Sequence, residues 1–107
     1  VLHVSDLINA FDKFIHSNLK HEVFNTGGGP ENTLSLIELL NMLQELVKRR
    51  PKVYYAPWRP ADQKVYISGI SKLNEKLSWR PRVKPKEGVR RLVKWVSENI
   101  EIFKQVF

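Results

Sequence analysis

Glu22-Val23-Phe24-Asn25-Thr26, the turn Gly27-Gly28-Gly29-Pro30, the run Leu34 to Val47, and Pro51-Lys52-Val53-Tyr54-Tyr55-Ala56-Pro57 together form the stretch that decides the fold. Residues 22–26 carry the branched and aromatic side chains of an extended segment, and the glycines with Pro30 punctuate it. Leu36, Leu39, Leu40, Leu43, Leu46 and Val47 recur at the spacing of an amphipathic helix, opened by Thr33 or by a Ser35-x-x-Glu38 capping box. Lys48, Arg49 and Arg50 complement the carbonyl end of that helix, and Pro51 stops it. Val53-Tyr54-Tyr55-Ala56 then reads as a second strand. Strand, helix and strand of these lengths are what a right-handed parallel crossover needs. The expected fold is therefore α+β and mostly helical, with a small, mostly parallel sheet built on a βαβ unit that pairs residues 22–26 with 53–57.

Working outward, Val4, Leu7, Ile8, Phe11, Phe14 and Ile15 predict a first helix with a wide apolar face, for which Ser5 or Asp6 is the expected N-cap. Val65 to Ser68 reads as a third short extended piece. The next helix, Ser71 to Leu77, turns Leu73 and Leu77 inward, and Trp79 before Arg80-Pro81 is expected in the core. Pro85 suits the first turn of a last helix whose stripe is Val89, Leu92, Val93, Val96, Ile100 and Phe103, with Trp95 on its border.

At 107 residues the chain predicts one small domain, residues 1–107, burying roughly 60 to 65% of its unfolded surface. No window approaches the roughly 20 apolar residues of a membrane span and no charged-then-apolar leader opens the chain, so a soluble, cytoplasmic protein is expected. There are no cysteines, which excludes disulfides and thiolate zinc sites. His3, His16 and His21 form no helical ligand pair, so no metal is expected. The first residue is Val1 and an amphipathic pattern begins almost at once, which suggests a piece of a larger design.

Charge is unevenly spread. Residues 48–94 hold 15 of the 18 Lys and Arg against Asp62, Glu75 and Glu87, whereas residues 1–47 hold two Lys against six acids. Such asymmetry fits a field that draws in an anionic ligand, a nucleic-acid-binding module, or an interaction subunit whose first helix docks on a separate chain, and lysine-rich surfaces also occur in heat-adapted proteins for solvation alone. Trp58, Trp79 and Trp95 beside basic residues are the elements of a stacking surface. Against nucleic acid, no helix-turn-helix, zinc-finger, ribonucleoprotein or KH signature is present, and the tryptophans fall at turns and a helix border.

The loop Trp58-Arg59-Pro60-Ala61-Asp62-Gln63 carries the most specific chemistry. Arg59 offers paired planar donors to an anionic oxygen pair, Asp62 can accept from two vicinal hydroxyls, and Pro60 stiffens the link. That outlines a grip for a nucleotide diphosphate; the same pair is also an ordinary surface turn.

His3-Val4-Ser5-Asp6-Leu7, Val23 to Gly29, the Trp58 loop, Tyr66 to Lys72 and Leu77-Ser78-Trp79-Arg80-Pro81 follow one another along the chain. In that order they resemble the C-terminal part of the extended short-chain dehydrogenase/reductase family, the NAD-dependent nucleotide-sugar epimerases and dehydratases. The resemblance covers essentially the whole chain. Its loop looks most like the CDP-tyvelose (CDP-paratose) 2-epimerase branch, with UDP-glucose 4-epimerase more distant. It implies that Arg59 holds the diphosphate and Asp62 the ribose or base of a CDP- or UDP-sugar, with Trp58 and Gln63 flanking. Where the family usually has an aspartate before the short helix, this chain has Gly69.

The family's NAD sits on an N-terminal Rossmann domain with a glycine fingerprint, and its chemistry uses a Tyr-x-x-x-Lys pair. Here Tyr54, Tyr55 and Tyr66 are followed four residues on by Trp58, Arg59 and Ile70, and Asn32 stands where a third spaced glycine would be. The expectation is a severed or separately encoded substrate lobe, with no catalytic residue and no cofactor of its own. Its expected partners are a Rossmann-bearing chain or a second copy docked on the face of residues 4–15, and no membrane.

Overall fold

A computed structural model describes residues 1–106. Helix α1 spans Val4–Ile15, α2 Leu36–Val47, α3 Ser71–Leu77, α4 Pro85–Glu98 and α5 Ile100–Val106, with a 3-10 turn at Pro30–Asn32. Among the described residues none is longer than 14 residues, and no helix is long and apolar enough to cross a membrane.

His3, and neither Ser5 nor Asp6, caps α1: its Nδ1 accepts the Ser5 N–H at 3.2 Å. Asp6, one turn in, is thereby free for a long-range task. It is buried, and its Oδ2 accepts the backbone N–H groups of Arg82 at 3.1 Å and Val83 at 2.9 Å. Trp79 is wholly buried, as the sequence predicts, and its indole Nε1 donates to the Asp6 carbonyl at 3.0 Å. Ala10, Leu73, Leu77 and Trp79 form the core, with Leu2, Phe14, Leu19, Phe24 and Ile70 packed against it. The inward placing of Leu73 and Leu77 also follows the sequence.

The expected parallel sheet does not exist: among the described residues there is no strand and no βαβ unit, so the α+β assignment gives way to a helical architecture. The side chains explain why residues 22–26 and 53–57 stay apart. Glu22 is held by Lys72 at 2.8 Å and Lys76 at 3.0 Å, and Lys72 Nζ donates to the Val23 carbonyl at 2.8 Å. Phe24 meets Phe14 edge to face at 6.1 Å. The 22–26 segment is therefore captured by α1 and α3. Residues 53–57 are left with no covering layer, Tyr54 and Tyr55 being 86% and 93% exposed. A parallel pair is stable only with both faces covered, and two strands alone are marginal in water.

Helix α2 opens with the expected capping box, Ser35 and Glu38 exchanging backbone hydrogen bonds at 3.2 and 2.8 Å. It lies along α4, and no α2 residue is fully buried. The single last helix expected from the sequence divides at Asn99, whose Nδ2 donates to the Trp95 carbonyl at 2.8 Å. An asparagine bonding back to the preceding turn competes with helix continuation. Of the stripe on this helix, Val89 is buried and Leu92 is exposed.

Candidate functional site

Lys48 ends α2 in a left-handed conformation and Pro51 bars its continuation, so the chain leaves α2 extended and exposed. It reverses at Arg59-Pro60-Ala61-Asp62, where the Asp62 N–H donates to the Arg59 carbonyl at 3.2 Å. Proline presets the second position of this turn, and Ala61 takes φ of 60°, a positive value that the third position of a type II turn requires. A residue with a β-carbon is disfavoured there, so the turn carries local strain.

The turn sets the two candidate side chains against each other. Arg59 Nη2 and Nε donate to one oxygen, Asp62 Oδ2, at 3.2 and 3.4 Å, and among the described residues Nη1 and Oδ1 take no hydrogen bond. Lys64 Nζ stands 5.7 Å from the Trp58 ring centroid, a cation over an aromatic face that straddles the turn. Gln63 is exposed. Arg59, Asp62, Trp58 and Gln63 thus share one exposed turn. The sequence reading missed Lys64; the signal was a lysine six residues after a tryptophan across a proline turn.

Beyond the turn, Lys64–Ser68 form one wall of a cleft of about 640 Å³, whose other wall includes Gly27–Gly29, Ser35 and Glu38. The glycines do not leave a phosphate cradle there. A β-carbon on Gly27 would collide with the Ser68 hydroxyl, one on Gly28 with the Val1 carbonyl, and Gly29 has φ of 68° against Ile70. The Ser35 backbone N–H and hydroxyl hold the Glu38 carboxyl below its usual range, so the N-terminus of α2 already carries its own anion. The residues present do not fit an NAD pyrophosphate.

The chain is 36% identical over 88 residues to a UDP-glucuronate 4-epimerase of Thermodesulfobacterium geofontis, covering 82% of this chain and 27% of that protein. It is 32% identical over 99 residues to a CDP-paratose 2-epimerase of Salmonella typhi, covering 91% of this chain and 29% of that protein. It is 29% identical over 112 residues to a human dTDP-D-glucose 4,6-dehydratase, covering 98% and 31%. The chain belongs to the extended short-chain dehydrogenase/reductase family. Within that family of nucleotide-sugar epimerases and dehydratases it corresponds to the C-terminal part, spanning about three tenths of the relatives' length. No protein-family profile matches it. The CDP-paratose branch suggested by the Trp58 loop is among the relatives.

Proposed function

We propose that residues 1–107 act as one substrate-side lobe of a nucleotide-sugar epimerase or dehydratase, binding the nucleotide diphosphate of a CDP- or UDP-sugar and inactive alone. The observation that carries this reading is the Arg59–Asp62 turn, which holds a guanidinium and a carboxylate side by side on a proline-stiffened loop. The relatives' names, each a nucleotide-sugar enzyme, support it. Arg59 would take the diphosphate, Asp62 the ribose or base, and Trp58 and Gln63 would shape the margin. Hydride chemistry, which NAD supplies in the family, is assigned to a separate dinucleotide-binding part. That part, or a second copy of this chain, would cover Val4, Ile8, Phe11 and Ile15, an exposed stripe at 4-3-4 spacing along α1.

Calorimetric titration with CDP, UDP and NAD tests the proposal. CDP and UDP should bind at about millimolar affinity or better, roughly −4 kcal/mol, and NAD should not. Arg59→Ala should weaken both nucleotides about tenfold or more, since a hydrogen bond to a charged group contributes roughly 1.5 to 3 kcal/mol. Unchanged nucleotide affinity in that variant would remove the diphosphate role.

A further inference from the structure

A basic cleft whose lining includes no residue of the Trp58 loop is formed by α1, α3 and residues 78–82. This cleft of about 310 Å³ is lined by Asn9, Lys13, Asn74, Ser78, Arg80 and Arg82. Three cations line it and no carboxylate does. Among the described residues none of these three cations belongs to an ion pair, although Lys72, Lys76, Arg90 and Arg91 all do. The Asn9 amide and the Ser78 hydroxyl likewise make no hydrogen bond among the described residues. Five uncommitted donor side chains thus open onto one concavity.

Local structure explains the convergence. Asn9 and Lys13 are four residues apart on α1 and so share a face. Arg80 and Arg82 flank Pro81 in the arm that follows α3, and both line the cleft. That arm is pinned by its backbone rather than by its guanidiniums. Asp6 accepts the Arg82 and Val83 N–H groups, Trp79 donates to the Asp6 carbonyl, and Asn74 Nδ2 donates to the Trp79 carbonyl at 3.2 Å. The Asp6 carboxylate beneath this arm is buried and committed to the Arg82 and Val83 backbone donors rather than to a guanidinium. Two guanidinium forks, an ammonium, an amide and a hydroxyl on a pinned frame match a tetrahedral oxyanion.

We propose that this cleft binds a phosphate-class anion, a free pyrophosphate or the diphosphate of a nucleotide, independently of Arg59. The test uses the whole chain carrying Arg59→Ala, so that failure of the loop site and of this site are separable. Inorganic pyrophosphate and CDP are each titrated at 0.15 M ionic strength, a condition that screens diffuse attraction at about 8 Å. Pyrophosphate should produce saturable NMR shifts at the Asn9 and Asn74 side-chain amides. Adding Arg80→Gln with Arg82→Gln should weaken that binding at least about tenfold, while Lys52→Gln with Lys86→Gln, equal in charge but elsewhere, should leave it unchanged. Matching shifts from CDP would make nucleotide diphosphate the source, and shifts from pyrophosphate alone would make it the free anion. Non-saturable shifts, or equal loss in both double variants, would overturn the proposal by reducing it to net charge.

Discussion

Arg59 and Asp62 hold each other in the free chain, so the proposed diphosphate ligand would have to exchange partners with them rather than enter an open grip. On the proposed function that exchange would be favourable, because the pair is exposed: such ion pairs contribute about 0 to 1 kcal/mol, less than a charged hydrogen bond to a diphosphate. Asp62→Asn should therefore release Arg59 and tighten inorganic pyrophosphate severalfold while costing CDP the proposed contact to its ribose or base. The ratio of the two affinities, read by calorimetry, should move toward pyrophosphate by roughly tenfold, and an unchanged ratio would mean that Asp62 does not touch the nucleoside. These residues were legible because turn chemistry is local: Pro60 and the i,i+3 spacing carry it. Asp6 was misread as a cap because its partners lie 76 and 77 residues away.

Segment 22–26 shows how side chains decide an element's fate. Lys72 first and Lys76 second hold the Glu22 carboxyl below its ordinary 4.5, as Ser35 does for Glu38, while Arg90 and then Arg91 hold Glu87 at about 2. Each folded value is depressed, so each contribution is complete above about pH 4.5 and is lost as pH falls through the folded value. Acidification should accordingly free Glu22, loosening Phe24 from Phe14, before the Glu87 clasp opens near pH 2. Aromatic and carboxyl NMR shifts follow the order, and Glu22→Gln should abolish the pH dependence at Phe24. The helices themselves were readable from spacing and caps, α2 most clearly, since Ser35 and Glu38 are three residues apart. The sheet was not, because pairing depends on what covers it.

For the whole molecule, surface is the telling quantity. The chain exposes 9228 Å², whereas a compact monomer of 12.5 kDa exposes about 6200 Å². Its radius of gyration is 16.9 Å against about 13 Å for a compact domain of this length. The excess on one chain, about 3000 Å², is more than the roughly 1000 to 2500 Å² that each partner of an obligate interface buries. Light scattering at high concentration should thus report a dimer or larger species, and Ile8→Asp, at the centre of the exposed α1 stripe, should return it to monomer. A strict monomer at every concentration would argue against that face as a contact.

Spacing, capping and turn residues alone determined four of the helices' positions, the burial of Trp79 and the Arg59–Asp62 turn, because these depend on neighbours within about one helical turn. The family likeness was equally present in the order of short motifs. Tertiary structure alone decided that Glu22 to Thr26 would bind α1 and α3 rather than a strand, that Asp6 would anchor residues 82 and 83, and that α1, α3 and residues 78–82 would bring basic and polar side chains to one cleft. Long-range hydrogen bonds and ion pairs compete with strand pairing for the same backbone, and the winner depends on which surfaces are covered, a property no local pattern contains.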